Sequence, residues 1–190
     1  MRDLSDWLTD RCGLLADRWI RDVLRREQSP PEVRIRIVGR FARLIVRVLP
    51  MMLGPHRNEL RPAWDRAAEL YGAVGAKRGL AAGEVIEEFH LLRELVIREL
   101  YADAPLDGST AWPMREVLRL NRALDRAVTH ASIGHTDTLF FDFFGPDTGR
   151  SILGSDDVAA EAELQLEQLT AEIREHFGAA FADTDAASEH

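Results

Sequence analysis

Apolar side chains recur every three or four residues along almost the whole chain, which is the period of a helix buried along one side. Leu8, Cys12, Leu15, Trp19 and Val23 share one face of a first helix over residues 4–26. "SPPE" then interrupts the pattern. Val38, Phe41, Leu44, Ile45, Val48 and Met52 mark a second helix ending near residue 53. "GPHRNELRP" reads as a loop, because a proline inside a helix removes a backbone donor. A third helix is expected over 63–78, starting after Pro62 and stopping at Gly79, which suits a helix C-terminus. A fourth covers 82–101, and "ADAPLDGST" forms the next loop. A long fifth helix runs from 112 or 113 to 144. "GPDTGRSILGSDD" reads as a linker. The last helix begins at Asp156 with a stripe of Ala162, Leu166, Leu169, Ile173 and Phe177. No stretch alternates with period two between hairpin turns, so strands are not expected. The pattern predicts an all-α protein. Five helices form a domain over 1–145, followed by a linker at 146–155, an amphipathic helix at 156–178 and a disordered tail at 179–190.

Composition narrows the class without naming it. The 190 residues are 46% hydrophobic and 29% charged, ordinary for a globular chain. No apolar run is long enough to span a bilayer. The N-terminal "MRDLSDWLTD" lacks the apolar segment of a secretory signal, and Cys12 is the single cysteine. A reduced, cytoplasmic setting follows as the expectation. A net charge of −8 opposes nucleic-acid binding. Lys77 is the only lysine among 24 basic residues.

One charge is out of place in "VIEEFHLLRELVIREL", residues 85–100. At about 100° per residue, Val85, Ile86, Phe89, Leu92, Val96, Ile97 and Leu100 fill an apolar arc with Arg93 in its middle. An unpaired buried guanidinium is prohibitively costly. Glu88 and Glu99 lie far around the wheel. "LNRALDRAV" on the fifth helix offers Asp125, with Asn121 beside it, as an interhelical partner. Snorkelling past the rim of the core, or contact with a ligand or second subunit, are the alternatives.

Candidate chemistry is sparse. His90 and His135 sit on or beside apolar stripes, and either is able to ligate haem iron or titrate near neutral pH; packed core histidines are the plainer reading. No histidine pair has the spacing of a zinc site and HExxH is absent. There is no GxSxG elbow, dinucleotide fingerprint or phosphate loop. Neither catalysis nor a metal is expected. Arg36, Arg40, Arg43 and Arg47 form a basic stripe on the second helix, suited to neighbouring acids or to an acidic partner helix. Phe140, Phe141, Phe143 and Phe144 in "TLFFDFFG" make a helix end apolar over too much of its surface for one packing seam. The expected covers are the C-terminal helix and a second subunit.

"GAKRGLAAGEVIEEFHLLRELVIREL" resembles the signature of the RsbRD-type N-terminal domain, a family of RsbT co-antagonists and stressosome sensors. In that family an A-x-R-x-G turn precedes a helix carrying E-[FY]-x-x-L-R. "LNRALDRAV" is similar to the family's next helix, L-x-x-x-x-D-x-A. The matching positions are Gly79, Glu88, Phe89, Leu92, Arg93 and Asp125. The resemblance implies a globin-like helical fold without haem, dimerisation, and a sensory or regulatory role in bacterial stress or two-component-type signalling. Such domains usually precede an output module; beyond residue 145 only a linker and one helix are expected here, so either the chain acts in trans or it is one domain of a larger protein. The expected function is therefore a non-catalytic adaptor. It would form a homodimer and contact a regulatory protein in trans, such as a kinase or STAS protein, through a link made by Arg93, Asp125, Asn121 and Glu88. A haem- or small-ligand-binding globin-type sensor is the competing class.

Overall fold

The computed structural model describes residues 3–26, 31–102, 112–144 and 156–186, with side chains except at 142–144, 156–158 and 179–186. It is all-α, with no strand among the described residues. The helices are α1 (Leu4–Thr9), α2 (Cys12–Leu24), α3 (Glu32–Leu53), α4 (Arg57–Lys77), α5 (Ala82–Ala102), α6 (Met114–Phe144) and α7 (Asp156–Ala186). No helix among the described residues is long and apolar enough to cross a membrane.

The expected first helix is two. Leu4, Trp7 and Leu8 are buried on α1, and Cys12, Leu15, Ala16, Trp19 and Val23 on α2. On one continuous helix these stripes would be out of phase by about 80°. A break at Asp10 and Arg11, where Arg11 adopts φ −116° and ψ 5°, lets both stripes face the core. Asp3 caps α1 by accepting from the Ser5 amide at 3.1 Å.

The third expected helix starts too late. α4 begins at Arg57 and carries Pro62 inside it. Leu60 is fully buried, so its apolar contact holds the first turn to the core. The missing Pro62 amide leaves the carbonyl of Asn58 without a helical donor, and Asn58 is exposed to water. Pro50 inside α3 has the opposite surroundings. The Val46 carbonyl that it leaves unbonded is buried, and the Cys12 Sγ lies 3.5 Å from it. The Ser5 hydroxyl donates to the Pro50 carbonyl at 2.8 Å. Side chains of α1 and α2 thus serve the polar groups around that proline.

α4 and α6 form the tightest pair in the fold. A Cβ on Gly72 would lie 1.9 Å from the Ala131 carbonyl oxygen, and one on Gly134 would lie 2.0 Å from that of Glu69. Ala67, Ala68, Ala127 and Ala131 are buried around this crossing. α3 packs against α1, α2, α4, α6 and α7, while α5 lies against α2 and α6.

α7 belongs to the same core. Ala159, Ala162, Leu166, Leu169 and Ile173 are buried, against α3 and α4. The basic stripe of α3 meets it: Arg36 donates to Glu163 at 2.7 Å and Arg40 to Glu167 at 3.1 Å. The neighbouring acids expected for that stripe are supplied, for Arg36 and Arg40, by this chain's own α7. Arg43 reaches Asp17 on α2. α7 continues to Ala186, past the expected end at 178, with a break at Phe177 (φ −128°, ψ 24°). The linker at 146–155 and the tail from 187 lie outside the described residues.

Candidate functional site

The turn between α4 and α5 creates an ion pair in the middle of the core. Gly79, at φ 82°, ends α4. The Leu80 amide donates to the Gly75 carbonyl and the Gly79 amide to that of Ala76, at 3.1 and 2.9 Å, closing the helix end in a Schellman motif. The Glu84 carboxylate then accepts from the Ala81 amide at 2.7 Å, starting α5. This reversal brings Arg78, the C-cap of α4, across from Glu88 on α5.

Arg78 Nη1 donates to Glu88 Oε2 at 2.9 Å and Nη2 to Oε1 at 2.6 Å. The Tyr71 hydroxyl donates to Oε2 at 2.7 Å. The paired side chains are only 1% and 3% exposed. Such a bidentate pair is tolerable in a core because each charge is met by its opposite and by directed hydrogen bonds. An aromatic shell encloses it. The Trp19 ring stacks on Tyr71 at 5.5 Å, and Phe89 meets Tyr71 edge-on at 5.3 Å. The Trp19 indole donates to the Glu88 carbonyl at 2.7 Å, tying α2 to the same point. Burial, then the charge of Glu88, push the Tyr71 hydroxyl well above the usual tyrosine range, so it remains a donor.

The sequence pattern placed Glu88 on the polar edge of its helix and left Arg78 out altogether. Both are core residues, and Glu88 pairs with Arg78 rather than joining a link with Arg93. The buried arc of α5 is Val85, Glu88, Phe89, Leu92, Leu95, Val96 and Leu100, rotated from the expected arc towards Glu88. Ile86 and Ile97 are only half-buried. Arg93 is therefore at the rim. Its Nη2 donates to the Asp125 carboxylate, with the Arg93 side chain 26% and Asp125 64% exposed. The proposed contact exists, and the guanidinium also reaches the surface. Asn121 stands apart from it, donating instead to the Val117 carbonyl of its own helix at 3.0 Å.

A second charged group links α4 to α6. Arg126 makes two hydrogen bonds to Asp65. His130 lies 2.7 Å from Glu69 and 3.4 Å from Asp65. His135 is buried with Nε2 2.8 Å from the Leu80 carbonyl, an occupied position for a nitrogen otherwise considered for haem iron. His90 is exposed.

Phe140 and Phe141 are 57% and 69% exposed. Among the described residues, the C-terminal helix packs on α3 and α4 rather than over them. The side chains of Phe143 and Phe144 lie outside the described residues. Burial raises the Cys12 thiol to about 12, so it is a weak hydrogen-bond donor, 3.2 Å from the Leu8 carbonyl, rather than a nucleophile at neutral pH. Among the described residues, no three His, Cys, Asp or Glu side chains are grouped to hold a metal ion. No protein-family model, curated protein or solved structure matches this chain.

Proposed function

We propose that this protein is a non-catalytic sensory or regulatory adaptor of the RsbRD type, globin-like in fold and cytoplasmic. It acts as a homodimer on a regulatory partner in trans, such as a kinase or a STAS protein. The observation that carries the reading is the course of α6. This 31-residue helix touches α5 through the Arg93–Asp125 pair and α4 backbone to backbone, and presents Phe140 and Phe141 to solvent. A rigid helix joining a packed core to exposed aromatic side chains suits passing a small shift of the core to a partner surface. Aromatic side chains of that kind anchor interfaces.

Sedimentation velocity over a concentration series tests it. The wild-type chain is expected to dimerise at micromolar concentration, and the double substitution Phe140→Ser and Phe141→Ser to yield a monomer with unchanged helicity. A wild-type chain that stays monomeric at tens of micromolar overturns the dimer on which the reading depends.

A further inference from the structure

An open cleft of about 370 Å³ lies between the start of α4 and the first half of α6. Arg57 and Arg61 line it from α4, and Arg119, Arg122 and Arg126 from α6. These spacings place each set on one face of its helix. Met52 and Ala123, both buried, supply an apolar floor.

Carboxylates answer only part of this charge. Asp65 holds Arg126, and Glu116 lies 3.3 Å from Arg119. Arg61 donates to the Asn58 side-chain carbonyl at 3.0 Å. Arg57, Arg61 and Arg122 have no ion pair among the described residues. Most other surface arginines are paired: Arg18 with Glu99, Arg26 with Glu87, Arg36 with Glu163 and Arg43 with Asp17; Arg21 and Arg66, which also lack an ion pair among the described residues, stand outside the cleft lining. A chain with net charge −8 therefore leaves three guanidiniums uncompensated at one concave spot. Like charges gathered beside an apolar floor repel one another and concentrate the field in the cleft. The N-terminus of α4 adds to it, since His56 supplies no side-chain cap for the first amides.

We propose that this cleft binds a small molecule carrying a di- or triphosphate group. The planar fork of a guanidinium matches a pair of phosphate oxygens, which favours a phosphate over a diffuse anion. The volume is at the lower end of small-molecule sites, about 300–1,000 Å³. A concave cluster on an acidic protein does not offer the extended basic track that a nucleic-acid backbone follows. The proposal is independent of whether the chain dimerises.

Isothermal titration calorimetry of the full chain in low-salt buffer tests it, with pyrophosphate, ATP, orthophosphate and a short single-stranded oligonucleotide as probes. Pyrophosphate and ATP are expected to bind saturably at one site, and orthophosphate more weakly. Arg57→Gln with Arg122→Gln should weaken pyrophosphate binding by about tenfold or more. Both residues are exposed and their charges repel their neighbours, so ligand-free melting should not fall. Arg25→Gln with Arg98→Gln, on other parts of the surface, should leave the affinity intact. Absence of saturable pyrophosphate binding overturns the proposal. So does an equal loss in the two double variants, which marks diffuse attraction, or an oligonucleotide that binds more tightly than pyrophosphate.

Discussion

Arg93 and Arg78 are both arginines beside a carboxylate, yet their surroundings give them very different weights. An exposed pair such as Arg93–Asp125 contributes about 0–1 kcal/mol. The Arg78–Glu88 pair is almost wholly out of water, so removing one member strands a buried charge at a cost of about 3–5 kcal/mol. Urea melts should therefore separate Arg78→Met, strongly destabilised, from Arg93→Met, shifted by less than about 1 kcal/mol. Comparable losses in both would show that the buried pair is not the stronger anchor. Cys12 sets a pH dependence. Its thiol moves from 9.0 to about 12 on folding because of burial. Over that window the unfolded chain releases a proton that the folded chain keeps, so stability falls with rising pH by up to about 1.4 kcal/mol per unit. The Tyr71 hydroxyl, also raised, adds the same sign of slope above its usual 10.0. Cys12→Ala should flatten the slope between these two onsets, measured as denaturation midpoints at several alkaline pH values.

At the scale of elements, backbone approach dominates. Gly72 and Gly134 allow α4 and α6 to touch, and an added methyl at either would meet a carbonyl oxygen of the other helix. A backbone cannot step aside as a side-chain tip can. Gly72→Ala and Gly134→Ala should each lose about 1–3 kcal/mol or more by overpacking. Gly83, near the start of α5, has nothing within 4 Å of the added carbon. Gly83→Ala should instead stabilise by about 0.4–1 kcal/mol through the restricted unfolded chain. Thermal denaturation of the three variants reads the sign directly. Periodicity could not find the α4–α6 seam, because alanine and glycine contribute little to an apolar stripe. It did find the α4 stop at Gly79, where local backbone chemistry suffices. Its error at Pro62 has a similar origin: proline carries a strong local signal, and the burial of Leu60 that overrides it is tertiary.

For the whole molecule, α7 is the most telling element. Its stripe was legible down to Ala162, Leu166, Leu169 and Ile173, but its resting place on α3 and α4 was not. Apolar burial outweighs the ion pairs that accompany it there. Leu169 is 1% exposed, and Leu169→Ala should lose about 2–5 kcal/mol. Glu163→Ala, with its Arg36 partner side chain 56% exposed, should lose no more than about 1 kcal/mol. If calorimetry ranked the two the other way, α7 would be held by charge and would detach at high salt. The arginine cleft also exists only at this scale. Arg61 and Arg119 are far apart in the chain, and nothing in either local pattern sets them apart from other solvent-facing arginines.

The chain's local patterns were enough for the all-α class, most helix boundaries and the apolar faces of α2, α3 and α7, and they offered Asp125 among the options for Arg93. Those features follow from periods and stop signals acting over a few residues, or from a charge placed beside an apolar arc. Tertiary structure decided where a face is centred, and so whether Glu88 lies in water or in the core. It decided that Arg78 turns inward, that Arg36 and Arg40 of the α3 stripe meet α7, and that five arginines share a cleft. A helical wheel fixes angles about one axis only; which side of that axis is buried depends on the neighbours that arrive from elsewhere in the chain.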